Sequence, residues 1–474
     1  MMTDNTVRQS TTGLMQRKRS AFGYNDLVVI AVIAALKLLF VLLDEKVRFI
    51  LGDSAVYLNS AFAGLPADRS WTYGALFVRA LLSIGSVQTV VYAQAAISGL
   101  ACYVLYRILH KQLGLGVRLS SVFSILACLD PLSLVYERFL LTDSLAWSLM
   151  TILICLALSM VRRPKENGLV RAISFAILSI AIASLRSAYI PVLGFLIAFI
   201  ACFLIYKCRV ARQYVFLSGL FVALLSFNAA YLSESKRLVG HASYNSSSGL
   251  FLLAAWAPNI KKVDLEQHAG ASTVLEGLGF ILEDPRNRPM HLFLADGLIN
   301  RLRRHLGDAS LTNSVARNAA LHSLERNPCG IVALAWKTYA GYWDTDYMRG
   351  RIQYETGTLP MDANLVQLVR ERCHQSLGEN HLQDSLFRSV LLHATVWVAV
   401  LPVITMILAL IALCCRTVGS TMIASVSVVI LLTALGLATE PVPRYLIGLP
   451  WLNLLLAGMI IVTIRPAPVE SGNS

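Results

Sequence analysis

Charge is scarce in this chain. Only 15% of its 474 residues are Asp, Glu, Lys or Arg. Soluble domains carry nearer a quarter, so an ordinary water-soluble globule is excluded. Metal signatures are missing too. The nine histidines form no His-Glu-x-x-His motif and no close pair, and His374 and His381, seven residues apart, come nearest to one. No internal repeat or low-complexity tract stands out, which argues against a solenoid or a repeat-built transporter. No small-residue cleavage site follows the basic N-terminus. The first apolar run is therefore expected to stay as a span instead of leaving as a signal peptide.

What the chain has is apolar length. Hydrophobic residues make up 56% of it, and the mean hydropathy is +0.61. Ten apolar runs read as spans, at about 27–44, 87–107, 119–136, 143–161, 171–187, 189–207, 213–232, 389–413, 418–438 and 445–464. Crossing a ~30 Å hydrocarbon core takes about 20 helical residues. Helices are the expected spans because the backbone must satisfy itself in lipid. The predicted architecture is an all-α polytopic membrane bundle. A basic tail, 1–25, precedes seven spans within 26–233, which include a first loop at 45–86. A polar segment, 234–387, then precedes three spans within 388–465 and a tail, 466–474.

The charges suggest an orientation. With the N-terminus in the cytoplasm, the inside segments hold 16 basic residues against four acids (Asp4, Asp26, Glu166, Glu470). The short outside segments hold eight of each sign, and 234–387 holds 16 of each. That is the positive-inside bias, and it places both termini in the cytoplasm. The basic pI of 9.4 then reports topology and gives no reason to expect nucleic acid. Lys37, inside the first run, can snorkel outward or pair inside the bundle, and snorkelling is the expectation. "GIVALAWKTYAGYWD", 330–344, is too short to cross and carries Lys337, so it reads as an interfacial helix. Seven of the nine cysteines lie in or near apolar runs as small fillers. A disulfide between the other two, Cys329 and Cys373, stays open.

Four short outside elements carry ionisable residues. The first loop holds "GDSAVYL" and "LPADRSWTYGALF", with Asp53 and Arg69. "LDPLSLVYERFLLTDSLAW" holds Asp130, Glu137, Arg138 and Asp143. "SLRSAYIP" holds Arg186, and "TEPVPRYLIGLP" holds Glu440 and Arg444. Each has an ordinary reading alone. Asp53 or Asp143 can cap a helix, and the arginines can anchor at headgroups. Acid and base at four turns on one face point instead to a polar cavity, because ionisable groups in membranes tend to face interiors and mark sites. Carboxylates there can move protons, and guanidinium forks can hold a phosphate. Transfer of a sugar from a polyprenyl phosphate uses both.

In these stretches the chain resembles the GT-C fold glycosyltransferases that use polyprenyl-phosphate sugars, related to protein mannosyltransferases and aminoarabinose transferases. "GDSAVYLNSAFAG" with "LPADRSWTYGALF" is similar to the family's acidic first loop. "LDPLSLVYERFLLTDSLAWSL" is similar to its second acidic turn, "SLRSAYIP" to an Arg-then-Pro turn, and "EPVPRYLIGLPWLNLLLAG" to the entry of a late span. "AALHSLERNPCGIVALAWKTYAGYWD" resembles the helix, Asn-Pro, apolar-helix element of the long outside loop. The likeness runs from about 26 to 465.

The resemblance implies an inverting transferase of the bacterial inner membrane. Asp53 would be the base, with Asp143 and Glu137 orienting the acceptor or the base. Arg69, Arg186 and Arg444 would stand near the donor phosphate, and Tyr57, Tyr73 and Tyr445 would line the sugar or lipid path. It implies a polyprenyl-phosphate-linked sugar as donor and a lipid, glycan or protein as acceptor. A divalent cation at Asp53 or Asp143 stays open. The chain departs from the family pattern at Tyr73-Gly74, where a Tyr-Pro pair is commoner, and at Tyr445, which no proline directly follows. Two alternatives remain on the sequence: an O-antigen ligase or polymerase using a lipid diphosphate, and a transporter or flippase.

Overall fold

The computed structural model describes residues 23–464 except 51–52, 64–69, 71, 164–167, 208–210, 240–241, 243, 246, 269, 280–281, 283–287, 359–362 and 374–384. Among the described residues the secondary structure is helical, with a single isolated bridge between Arg48 and Phe139. Seven helices among the described residues are long and apolar enough to cross a membrane. The protein is a polytopic helical membrane protein.

The first half contains α1 (Tyr24–Leu43), α2 (Asp53–Ala63), α3 (Thr72–Ile84), α4 (Gln88–Arg107), α5 (Val117–Cys128) and α6 (Pro131–Tyr136). Next come α7 (Thr142–Arg162), α8 (Gly168–Leu185), α9 (Ile190–Lys207) and α10 (Ala211–Val239). The polar segment contributes α11 (Ser248–Ala255), α12 (Leu298–Leu306), α13 (Ala309–Arg326), α14 (Pro328–Gly341), α15 (Thr345–Gln353) and α16 (Ala363–Cys373). The last part holds α17 (Leu386–His393), α18 (Thr395–Cys414), α19 (Val418–Val429) and α20 (Leu449–Ile464).

α7 is the axis of the bundle. It packs against α4, α8, α9 and α19, and nearly every one of its side chains is buried. Its opposite is α1, which leaves Leu38, Leu39, Leu42 and Leu43 exposed, as a peripheral helix in lipid does.

The run at 119–136 does not form one span. α5 stops at Cys128 after 12 residues, about 18 Å of helix. Asp130 then caps a new helix: its Oδ2 accepts from the Ser133 N–H (2.9 Å) and the Ser133 hydroxyl (2.7 Å), with Pro131 at the first helical position. Asp and Pro are the residues that start helices, and here they interrupt an apolar run. The run at 389–413 is likewise divided, between the end of α17 and α18, by a break at Ala394; 418–438 takes α19 and a π-helical turn, Ile430–Leu435, and 213–232 lies inside the 29 residues of α10.

Burial pushes the Asp130 carboxyl from 3.8 up to about 6, against the Ser133 hydrogen bonds. A raised folded-state pKa gives stability that is present below the unfolded value and lost as pH rises through the folded one. Asp130→Asn keeps the cap without the titration. Its melting temperature relative to wild type should therefore climb from pH 4 to about 6 and level off above it. A flat difference across that range contradicts this.

Lys37 does not snorkel. Its Nζ lies 2.5 Å from Glu137 Oε1, and the Ser98 hydroxyl donates to the same oxygen at 2.5 Å. Both charged side chains are buried. A buried pair replaced as a pair costs little, whereas removing one partner strands a charge at about 3–5 kcal/mol. Lys37→Met should thus lower the melting temperature sharply, and Lys37→Met with Glu137→Gln should recover most of the loss.

The 234–387 segment splits between two cores. Leu250, Leu253, Leu298, Leu302 and Val315 form a cluster of their own. Tyr339, Tyr342, Met348, Ile352, Leu365 and Val369 instead join the core of the bundle. Cys329 and Cys373 are both free thiols, so no disulfide links α14 to α16.

Candidate active site

Two acids stand in first helical turns, where the helix dipole favours a negative charge. Asp53 opens α2 and Asp143 opens α7. Asp143 is not the cap of its helix: the N-cap of α7 is Leu141, which makes no side-chain capping bond. Each acid faces an arginine from a distant turn. Arg444 Nη1 donates to Asp53 Oδ2 at 3.0 Å, across 391 residues of sequence. Arg186 Nη1 donates to Asp143 Oδ1.

Tyr445 joins these pairs. Its ring centroid lies 4.7 Å from the Arg186 guanidinium carbon and 5.6 Å from that of Arg444, so one aromatic face serves two cations. Gly448 fixes this turn. A Cβ there would overlap the Trp147 indole of α7, so α20 begins flush against the helix that carries Asp143.

A third carboxylate enters from the polar segment. Tyr354–Thr358 continues α15 as a π-turn and delivers Glu355, which is buried. Its Oε2 accepts from the Tyr136 hydroxyl at 2.6 Å. Its Oε1 lies 3.7 Å from Arg444 Nε and 3.7 Å from Arg351 Nη2. Arg351 also pairs with Glu440 at 2.9 Å. Burial pushes the Glu355 carboxyl above its usual range, partly offset by Arg444, Tyr136 and Arg351. Burial, and then Glu355, hold the Tyr136 phenol well above its usual value. Tyr136 therefore donates, and Glu355 accepts.

Four carboxylates and three guanidiniums thus meet at one end of the bundle. The Asp143 and Glu355 side chains are 2% and 3% exposed, and those of Asp53, Arg444 and Arg186 are 14%, 16% and 18%. The first two are buried, and the last three are partly exposed. Arg444 Nε is buried without a hydrogen bond, 3.7 Å from Glu355 Oε1.

The structure does not bring every expected residue here. Glu137 turns away to Lys37. Its neighbour Arg138 turns elsewhere, to the backbone oxygen of Asp44 at 3.1 Å. Tyr57 and Tyr73 meet edge to face at 4.9 Å, both buried, and the Tyr73 hydroxyl donates to Gln94 Oε1 at 3.1 Å. Tyr73 is therefore a wall behind Tyr57. Gly74 is needed beside it, because a Cβ would sit 2.7 Å from the Tyr57 carbonyl. Arg69 lies outside the described residues.

Arg351, Tyr136 and Glu355 were missed by sequence reasoning. Arg288 was missed as well: it bonds the Thr338 hydroxyl (2.7 Å) and the Ala438 carbonyl (3.3 Å), tying α14 to the turn before Arg444. Burial pushes the Arg288 guanidinium down to about 10. Among the described residues no group of three or more His, Cys, Asp or Glu is placed to hold a metal ion. Asp53 and Asp143 each face a guanidinium, a donor set that does not fit a divalent cation.

No protein-family model matches the chain, and no curated protein matches it. Two solved structures do. ArnT from Cupriavidus metallidurans bound to undecaprenyl phosphate is 12% identical, covering 91% of this chain and 77% of that one, with a TM-score of 0.33. The same protein in the apo state is 15% identical, covering 92% and 77%, also with a TM-score of 0.33. So loose a superposition gives no residue correspondence.

Proposed function

We propose that this protein is a GT-C type glycosyltransferase of a bacterial inner membrane. It moves a sugar from a polyprenyl-phosphate donor to an envelope lipid, glycan or protein on the extracytoplasmic face, with inversion. The observation that carries the reading is the Asp53–Arg444 contact at 3.0 Å beside the Arg186–Asp143 pair. A carboxylate able to take a proton adjoins two forks able to take a phosphate. The excess of basic residues on the N-terminal side supports cytoplasmic termini.

Each group then has a task. Asp53 takes the proton from the acceptor as its oxygen attacks the anomeric carbon from the face opposite the phosphate. The bond from that carbon to the phosphate oxygen breaks, and the departing lipid phosphate keeps the electron pair. Arg444 and Arg186 stabilise that charge, as preorganised donors do in a dry site. Asp143 holds Arg186 in place, and Glu355 with Tyr136 holds Arg444. Tyr57 and Tyr445 border the sugar. Glu137, through its ion pair with Lys37, and Tyr73, through its packing on Tyr57, only support the fold.

The cluster lies at helix ends, whereas transporter sites lie near the membrane midplane, which favours transfer over transport. The test is a transfer assay on purified protein with envelope extract and labelled donor. Label should enter an acceptor from a polyprenyl monophosphate sugar and not from the matching diphosphate. Labelling from the diphosphate alone would indicate a ligase or polymerase. Translocation without a covalent product would indicate a flippase.

A further inference from the structure

α14 is too short to cross a bilayer. Its 14 residues span about 21 Å, yet it rests on helices that do cross. Its buried face is Ile331, Leu334, Ala335, Thr338 and Tyr339. The Tyr339 hydroxyl donates to the Pro402 carbonyl at 2.9 Å. Pro402 is the eighth residue of α18, so the contact lies about 10 Å along a spanning helix. A Cβ on Gly436, at the end of the π-helical turn Ile430–Leu435 that follows α19, would stand 3.2 Å from Ala335 Cβ, and one on Gly341 would stand 2.7 Å from the Pro441 ring. From Ala335 to Gly341, α14 is thus seated against the membrane part of the molecule, while Ile331 in its first turn packs with Ala255, Trp256 and Ala320 of the polar segment.

The opposite face of α14 is also apolar. Val332 is 66% and Trp336 54% exposed, four residues apart and so on one stripe. Trp343 continues it, with its ring 5.8 Å from that of Trp336. On α18 the first turns expose Val396, Trp397 and Val400, so both helices of this contact leave apolar side chains uncovered. Apolar side chains at the depth of a spanning helix meet hydrocarbon, and tryptophans gather where hydrocarbon ends. Lys337 can reach headgroups along its stem.

We infer that α14 is embedded in one leaflet of the bilayer, with the Val332–Trp336 stripe docked on lipid acyl chains. The lipid surface then holds the 438–445 turn in place. Arg288 ties Thr338 to Ala438, and Gly341 abuts Pro441, so the depth of α14 sets the depth of Arg444. The inference rests on the membrane architecture and on no assignment of the chemistry, so it stands or falls separately from sugar transfer.

The experiment uses the full chain in nanodiscs of phosphatidylcholine, with and without acyl chains brominated near the headgroup. Tryptophan emission of the wild type is compared with that of Trp336→Phe, and the difference isolates Trp336. The expected result is loss of most of the Trp336 emission in brominated lipid and little loss with aqueous iodide. Quenching by iodide and not by bromolipid overturns the inference, because the helix then faces water. Resistance to both also overturns it, because a protein partner then covers the stripe. Trp343→Phe serves as the second variant, with the same pattern expected more weakly from its lower exposure.

Discussion

Replacing Asp53 by Asn is expected to lower sugar transfer by about 10²–10⁴-fold, the usual contribution of a positioned general base. Asn keeps the size and can still accept from Arg444 Nη1, which now bonds Asp53 Oδ2 at 3.0 Å. Donor affinity should change far less than turnover, because the fork that would grip the phosphate is intact. The measurement is kcat and KM for the labelled donor, beside a melting curve showing that the variant is folded. Unchanged kcat contradicts the assignment. A matched fall in melting temperature and activity would make Asp53 a structural partner of Arg444 and nothing more.

The second large effect belongs to Arg444. A hydrogen bond to a charged group contributes about 1.5–3 kcal/mol, or roughly 10–150-fold in affinity, so Arg444→Ala should raise the donor KM by about that much. The variant also leaves Asp53 and Glu355 without the cation between them, which should cost stability. Adding Glu355→Gln removes one of those charges. The double variant should melt nearer to wild type while still binding donor poorly. Affinity and stability then part company, as they should if Arg444 both binds phosphate and neutralises carboxylates. If Glu355→Gln restores both, the guanidinium is only a strut.

Which of these residues could be read in the sequence follows from contrast. Asp53, Asp143, Arg186 and Arg444 are isolated charges beside apolar runs, so each stands out, and their shared side follows from the order of spans. Glu355 lies in a segment holding 16 acids and 16 bases, where one more carboxylate has no contrast. Only the π-turn that aims it inward distinguishes it. Lys37 was misread because its partner is 100 residues away; nothing local foretells a buried pair. Glu137 and Arg138 are adjacent in sequence and serve different clusters, which a reading by proximity merges.

The helices were legible where length and apolarity agree. The run at 119–136 misled because hydropathy averages over Asp130 and Pro131, although those two residues are the local signal for a new helix. The single polar segment hid a division of another kind. Leu250 and Leu302 pack with each other, whereas Tyr339 and Ile352 pack into the bundle. Periodicity finds the apolar face of each helix and does not say which neighbour that face meets.

The most direct test is a structure of the protein with a non-transferable polyprenyl-phosphate sugar. The phosphate should lie within hydrogen-bond reach of Arg444 and Arg186, with the anomeric carbon turned toward Asp53. A lipid phosphate seated elsewhere, with Asp53 still bonded to Arg444, would contradict the assignment of this cluster as the site of transfer.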